Sequence, residues 1–220
     1  MNFLVFDFDG TLCDSLVHFL PAFNSLSEKY RFKPIRDETH FDALKAKSSQ
    51  EICRDLDFDL IKLPFVVKEL RTIMAAHIDQ VQLYDAIQGE IKALRGVVTD
   101  MAILSSNSKS NIEFVLKKFD LAEYFSEISG RSMFFGKSSK MKQIKKTFLK
   151  KHGLGSGQGR FIYIGDETKD IEAAKEAGFE PVAVTWGLQK ESILQAYKPN
   201  LLIRQSNTLS QELLHYLTQI

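Results

Sequence analysis

Residues 3–12 read FLVFDFDGTL, an apolar run that ends in two aspartates, Asp7 and Asp9, two positions apart. Its first four residues are typical of a strand that is buried on both faces, as in a parallel sheet. Because burying an unpaired carboxylate is costly, the strand should end at Asp7, at the sheet edge where open parallel sheets bind ligands. Asp9 then points to the same side as Asp7. On this stretch alone, a purely structural role, in which both aspartates end the strand and start a turn, remains an alternative.

The composition of the 220 residues is that of a globular protein, with 44% hydrophobic residues, 26% charged residues and a net charge of +1. A charge so close to zero gives no general attraction to nucleic acid or to an acidic membrane surface. The chain has two cysteines, no run of about 18 apolar residues and no secretory signal pattern. We therefore predict a cytoplasmic protein that has neither a nucleic-acid nor a membrane partner. The sequence is compatible with a monomer or a homodimer.

Four later segments resemble the first apolar run and predict further strands. They are MAILS (101–105), FIYIG (161–165), VAVTW (182–186) and LLI (201–203). Helical patterns lie between them, one of which we expect to begin with a capping box formed by Ser110 and Glu113. Strands that alternate with helices predict an α/β fold with a doubly wound, Rossmann-like parallel sheet.

Residues 15–85 interrupt this alternation. Their apolar residues recur at helical spacing, and no convincing strand occurs among them. The simplest interpretation is a helical insertion directly after the first strand. We therefore predict an α/β core formed by residues 1–14 and 86–220, with a helical cap formed by residues 15–85.

A lysine-rich segment, residues 137–151, contains seven lysines and no acidic residue. A nucleic-acid surface would contain aromatic or arginine side chains between the lysines, and this segment lacks them. Met141, Ile144 and Phe148 recur at helical spacing instead. The segment therefore predicts an amphipathic helix with its lysines in solvent.

Polar side chains also follow two of the later strands, and two lysines begin the helix between those strands. These residues are Ser105, Ser106 and Asn107, then Lys137 and Lys140, then Asp166 and Asp170. Parallel strands end at one edge of the sheet, so all of these residues should converge with the first two aspartates. Clustered carboxylates need a counter-charge, and a hard cation held by oxygen ligands, such as Mg²⁺, provides it. Lysine and hydroxyl groups suit phosphate oxygens, and a carboxylate facing a phosphate can act as a nucleophile.

These motifs, taken in order, carry a resemblance to a known family. DFDGTL, a Ser-Asn pair after an apolar strand, a downstream lysine and GDETKD resemble the four motifs of the haloacid dehalogenase-like superfamily. The inserted helices resemble its type-1 cap, and the spacing is most similar to the phosphoglycolate-phosphatase-like branch. The resemblance spans nearly the whole chain. It implies a Mg²⁺-dependent phosphatase that acts on a small phosphorylated metabolite through an aspartyl-phosphate intermediate.

The resemblance also implies roles for the four aspartates. Asp7 would be the nucleophile and would bind Mg²⁺. Asp9 would protonate the leaving alcohol and then activate water, while its main-chain carbonyl binds the metal. Asp166 would be a direct metal ligand, and Asp170 would support the site from outside the ligand shell.

Three further residues would bind the phosphate. Ser106, rather than Ser105, matches the second motif, because Asn107 follows it. Lys137 would hold the nucleophile and the phosphate. The segment FGKSSK lacks the Lys-Pro dipeptide common in this branch, so Lys140 stays an alternative for this role.

Two other functions are compatible with the same fold. A phosphosugar mutase shares these motifs and differs in the substrate loop of its cap. A non-catalytic binding or regulatory protein would have degenerate motifs, whereas both aspartates of the first motif are intact here.

Overall fold

A computed structural model of the protein describes residues 1–131 and 136–219. The described residues contain eight strands: β1 (Asn2–Phe6), β2 (Cys13–Asp14), β3 (Gln82–Leu83), β4 (Asp100–Leu104), β5 (Glu127–Ser129), β6 (Arg160–Gly165), β7 (Glu180–Val184) and β8 (Leu201–Ile203). Six of them form one parallel sheet in the order β5-β4-β1-β6-β7-β8, and β2 and β3 form a separate antiparallel ribbon. The strand order reverses direction at β1, which lies in the middle of the sheet. The predicted fold class is confirmed.

Eleven helices occur in the same parts of the chain. They are α1 (Leu16–Ser25), α2 (Ser27–Tyr30), α3 (Glu38–Leu44), α4 (Ser49–Asp55), α5 (Leu63–Ala75), α6 (Ile87–Leu94), α7 (Lys109–Lys118), α8 (Lys137–Lys151), α9 (Thr168–Ala177), α10 (Glu191–Ala196) and α11 (Leu209–Thr218). Single turns of 3₁₀ helix lie at Leu60–Lys62, Ile78–Gln80, Ala122–Tyr124 and Ser206–Thr208. No helix in the described residues is both long and apolar enough to cross a membrane.

Strand β1 is buried on both faces because successive side chains point to opposite sides of the sheet. Leu4 and Phe6 join the apolar cluster beneath α6, α7 and α11. Phe3 and Val5 join the cluster on the other face, beneath α8 and α9. All four side chains are fully buried, and each contributes roughly 1.5–3 kcal/mol to folding. The continuous apolar run in the sequence is therefore explained by its central place between two helical layers.

The lysine-rich helix α8 packs as predicted. Met141, Ile144 and Phe148 are buried against the sheet. The start of α7 differs from the prediction. Its N-cap is Ser108, whose hydroxyl accepts a hydrogen bond from the Asn111 amide at 3.2 Å. Ser108 has the extended backbone of an N-cap residue, whereas Ser110 lies inside the helix, which begins at Lys109, and therefore cannot cap it.

Residues 15–85 are predominantly helical, and two apolar clusters consist entirely of their side chains. One contains Leu26 and Val66, and the other contains Leu44 and Leu56. The prediction that this segment lacks strands was wrong at Gln82–Leu83, which pairs with Cys13–Asp14. Such a short strand has no periodic signal of its own and exists only through its distant partner. The ribbon lies where the helical segment leaves the core and returns to it.

Candidate active site

Asp7 directly follows β1, at the carboxyl edge of the sheet. Its amide donates a hydrogen bond to the carbonyl of Ile164 in β6 at 2.8 Å, which extends the strand pairing by one residue. The side chain is buried. After Asp7 the chain turns sharply, and Gly10 has φ of +75°. A Cβ atom at Gly10 would lie 2.2 Å from Oδ2 of Asp166, so the turn and the close approach of that carboxylate both require glycine.

Lys137, at the start of α8, connects two aspartates. Its Nζ atom donates a hydrogen bond to Oδ2 of Asp7 at 2.6 Å and another to Oδ1 of Asp170. Burial disfavours its charge, but Asp170 and Asp7 together hold the pKa of Lys137 well above its ordinary value. Lys140 faces elsewhere and donates to the carbonyl of Gly130 at 2.9 Å. Of the two lysines that the sequence left open, the structure therefore brings Lys137 to the aspartates.

Two further aspartates follow β6. Asp166 is buried and accepts hydrogen bonds from the Thr11 hydroxyl at 2.9 Å and from the Leu188 amide at 2.8 Å. Asp170 is buried in the first turn of α9 and accepts a hydrogen bond from the Glu167 amide at 3.1 Å. Carboxylate oxygens of Asp7, Asp166 and Asp170 lie within 4.8 Å of one another. Three residues from two separate segments thus form one acidic cluster.

This cluster carries more negative charge than its surroundings compensate. Burial, together with the charges of Glu167, Asp170 and Asp7, raises the pKa of Asp166 well above its ordinary value. Burial also raises the pKa of Asp170 to about 7, although Lys137 opposes the shift. One ammonium group does not neutralise three carboxylates. The donor atoms are all oxygens, so the cluster fits a hard divalent cation such as Mg²⁺.

Asp9 has a different environment from the acidic cluster. The Asn107 side-chain amide lies 3.2 Å from Oδ1 and 3.1 Å from Oδ2 of its carboxylate. Burial and the charge of Asp7 raise the pKa of Asp9 to about 6, although hydrogen bonds involving Ser15, Asn107 and Ser105 oppose the shift. A carboxyl group with such a pKa can give and take a proton near neutral pH.

The end of β4 presents the residues of the second motif. Ser105 is buried, and its hydroxyl accepts a hydrogen bond from the Asn107 amide at 3.2 Å. Ser106 is exposed and lines the cavity in front of the aspartates, as Asn107 does. Of these two serines, Ser106 lines the cavity and Ser105 does not. Ser106 is also the serine that matches the second motif in the sequence.

Several residues at this site were not predicted from the sequence. Thr11 belongs to the DFDGTL stretch, and its position four residues after Asp7 was a usable signal. Gln189 and Gly187 follow β7, and no sequence pattern indicated that they belong to the site. The Gln189 side chain accepts a hydrogen bond from the Thr168 amide at 2.5 Å and donates to the Lys47 carbonyl at 3.2 Å. A Cβ atom at Gly187 would lie 2.4 Å from Oδ2 of Asp166.

A cavity of about 320 Å³ opens in front of these groups. Asp9, Ser106, Asn107 and Asp166 line its inner end. Helices α1, α4 and α5 provide most of its remaining walls. A ligand in this cavity therefore contacts both the sheet edge and the helical segment.

Comparisons with known proteins identify the family. The family model for haloacid dehalogenase-like hydrolases matches residues 4–184. A phosphoglycolate phosphatase from Synechococcus elongatus is 29% identical over 219 residues, which cover 100% of both chains. The pyrophosphatase PpaX from Bacillus cereus is 21% identical, over 95% of this chain and 94% of the relative. A haloacid dehalogenase-like hydrolase from Streptococcus pneumoniae has the same fold, with a TM-score of 0.72, 23% identity and 99% coverage of each chain. The chain therefore belongs to the haloacid dehalogenase-like hydrolase family, and its predicted class, a phosphatase of the phosphoglycolate-phosphatase-like branch, is confirmed.

Proposed function

We propose that this phosphatase is Mg²⁺-dependent and transfers the phosphoryl group of a small phosphorylated metabolite first to Asp7 and then to water. The arrangement around Asp7 carries the proposal. One of its oxygens is paired with Lys137, and its carboxylate is grouped with Asp166 and Asp170. A second aspartate, Asp9, follows two residues later with a raised pKa.

The metal ligands in this proposal are Asp7, the main-chain carbonyl of Asp9, and Asp166, with Asp170 in support. When bound there, Mg²⁺ would offset the charge of these carboxylates and would polarise the phosphoryl oxygens. The raised pKa values of Asp166 and Asp170 support this assignment, because burial and neighbouring carboxylates disfavour their charged forms and a cation would offset both effects. Lys137 holds one Asp7 oxygen, which fixes the orientation of the carboxylate.

The reaction then has two steps. In the first, an oxygen of Asp7 bonds to phosphorus, the bond to the alcohol oxygen breaks, and Asp9 gives its proton to that oxygen. In the second, Asp9 takes a proton from water while the water oxygen bonds to phosphorus and frees Asp7. Ser106, Asn107 and Lys137 hold the phosphoryl oxygens in both steps.

We further propose that residues 15–85 act as a cap that encloses the substrate and excludes bulk water. Two contacts between this segment and the loop after β7 support the idea. The Lys190 amide donates to the Lys45 carbonyl at 2.9 Å, and its ammonium group pairs with Asp42 at 2.6 Å. The hinge would be the ribbon at Cys13–Asp14 and Gln82–Leu83.

The direct test is phosphate release from p-nitrophenyl phosphate by the purified protein. We expect turnover with Mg²⁺, none with excess chelator, and none from the Asp7→Asn variant. Full turnover in chelator or in Asp7→Asn would contradict the proposal. Transfer of the phosphoryl group to a second sugar phosphate instead of water would identify a mutase.

A further inference from the structure

Helix α5 presents one continuous face to the cavity beside the reaction centre. Seven of its residues line the cavity at the spacing of a single helical face. Six of them are apolar: Leu63, Val66, Val67, Leu70, Met74 and Ala75. The seventh, Arg71, is the one charged residue of this helix that lines the cavity. The face is therefore apolar apart from one guanidinium group.

Part of this face does not belong to the packed interior of the helical segment. Val66 and Leu70 contribute to an apolar cluster with Leu26, whereas Val67 and Met74 belong to no apolar cluster among the described residues. The side chains of Val67 and Met74 are half-buried. An apolar side chain that lines a cavity without other packing gains most from an apolar ligand.

The opposite wall of the cavity is similar. Phe19 from α1 lines it, together with Ile52 from α4 and the following Leu56. The Phe19 ring stacks on Phe23, with 5.6 Å between the ring centroids, and on Phe41, with 6.2 Å between them. Apolar side chains from α1, α4 and α5 thus line much of the cavity.

Arg71 is the one charged side chain that α5 contributes to the cavity. Its charge interacts with those of Asp9 and Arg131, and burial lowers the pKa of the guanidinium group. Its side chain forms no hydrogen bond or ion pair with any residue in the described parts of the chain. A partly buried cation without an ion-pair partner favours an anionic ligand. The cavity therefore has Arg71 close to the charged groups of the reaction centre and largely apolar walls where residues 15–85 line it.

We propose that the substrate is a phosphate monoester of an alcohol with an extended apolar body, which the apolar face of α5 selects while Arg71 directs the anionic phosphoryl end toward Asp7. The proposal rests on the phosphatase function above and specifies its substrate class. A cavity of about 320 Å³ is at the lower end of the range that encloses small organic ligands. Among the described residues of 15–85 that line the cavity, Arg71 is the only charged one, so a second carboxylate placed against these walls would lose its hydration with little compensation, whereas an alkyl or aryl group would bury its surface against them.

The first experiment measures the binding of alkylphosphonates to the wild-type protein in Mg²⁺ by calorimetry. Their carbon–phosphorus bond resists hydrolysis, so binding is measured without turnover. From methyl- to hexylphosphonate, we expect the dissociation constant to fall about fourfold for each added methylene. We also compare 3-methylbutylphosphonate with 3-phosphonopropionate, which has the same shape but ends in a carboxylate. A flat length series, or tighter binding of the carboxylate compound, would overturn the proposal.

The second experiment changes the wall itself. Val67→Phe fills part of the cavity, and we expect it to abolish the tighter binding of hexylphosphonate relative to methylphosphonate. Thr72→Phe adds the same ring to the exposed face of the same helix and should bind the whole series as the wild type does. If the two variants showed the same dependence of affinity on phosphonate chain length, the proposal would be contradicted. Thermal unfolding establishes that both variants fold, and the wild-type series gives a result independently of either.

These measurements separate the two proposals. If p-nitrophenyl phosphate is hydrolysed but the phosphonate series is flat, the phosphatase mechanism stands and the apolar selectivity fails. If affinity increases with chain length but no phosphate ester is hydrolysed, the selectivity of the cavity stands and the mechanism fails.

Discussion

The Nζ atom of Lys137 lies 2.6 Å from Oδ2 of Asp7, although the two residues are 130 positions apart in the sequence. Asp7 follows the central strand of the sheet, and Lys137 begins the helix that leads to the neighbouring strand. The same ammonium group also donates to Asp170. This single side chain therefore holds two members of the acidic cluster and compensates only part of their negative charge.

The two lysines at the start of α8 allow a matched test of this relationship. We expect Lys137→Ala to lower kcat for an aryl phosphate by about 10²–10³-fold, because a cationic donor to the nucleophile and the phosphoryl group is lost. Lys140→Ala should retain the wild-type rate, since the one hydrogen bond of its side chain to the described residues goes to the Gly130 carbonyl and not to an aspartate. A large loss in Lys140→Ala with little effect in Lys137→Ala would reverse the assignment. Thermal unfolding of both variants excludes a general loss of structure.

Substitutions of Asp7 and Asp9 should impair the reaction in different ways, because the proposed mechanism gives the two residues different roles. Asp7→Asn removes the nucleophile, so no phosphorylated protein forms. Asp9→Asn keeps the nucleophile but loses the acid and base, and we expect each step to slow by about 10²–10⁴-fold with a natural alcohol leaving group. With an aryl phosphate the first step recovers, because the leaving group needs no proton, while hydrolysis stays slow.

Mass spectrometry tests this difference directly. Asp9→Asn treated with an aryl phosphate should gain the mass of one phosphoryl group, located on Asp7 by peptide mapping. Asp7→Asn treated in the same way should gain nothing. An adduct on any other residue would refute the proposed nucleophile.

Metal binding should be visible in thermal stability as well as in activity. An ion that binds only the folded state stabilises it, by about 2.7 kcal/mol at a concentration 100 times the dissociation constant. We expect Mg²⁺ to raise the Tm of the wild type and to raise that of Asp166→Asn much less. In chelator, Asp166→Asn should unfold at no lower a temperature than the wild type, because it removes a buried, uncompensated charge. Glu172→Gln, an exposed substitution on the same helix as Asp170, serves as the control. An equal response to Mg²⁺ in all three proteins would argue against this metal site.

A structural ion pair outside the site gives a prediction for pH. Glu180 accepts hydrogen bonds from Nε of Arg160 at 3.0 Å, from Nη2 at 2.7 Å, and from the Tyr216 hydroxyl at 2.6 Å. The Arg160 bond, assisted by Tyr216, holds the pKa of Glu180 below its ordinary value although burial opposes the shift. A pKa that is lower in the folded than in the unfolded state stabilises the fold above the unfolded value, about 4.3. That contribution is lost as the pH falls through the folded value.

We therefore expect Glu180→Gln to lower the free energy of unfolding by about 1–2 kcal/mol at pH 7. The difference from the wild type should shrink as the pH falls below about 4. Urea unfolding between pH 3 and about 7 measures it. Glu191→Gln breaks an exposed pair with Arg204 and should have a smaller effect. A difference that grows toward acid pH would contradict the direction of the Glu180 shift.

The amino-acid sequence by itself determined the fold class, the family and the positions of the main strands. The continuous apolar runs of β1 and β6 are local properties, so they could be recognised without a structure. The ordered motifs were readable for a related reason, since parallel strands end at one edge of the sheet whatever separates them in the chain. Asp7, Asp166 and Asp170 could thus be expected in one place.

Tertiary structure decided what depends on contacts between distant segments. Lys137 and Lys140 are equivalent as local sequence, and only the position of α8 against the sheet brings the first of them to Asp7. The pairing of Gln82–Leu83 with Cys13–Asp14 and the hydrogen bond of Asn107 to Asp9 have the same origin. The position of Arg71 among apolar side chains that line a cavity could not be predicted from the sequence either. An amphipathic helix has the same sequence pattern whether its apolar face packs against a core or lines a cavity.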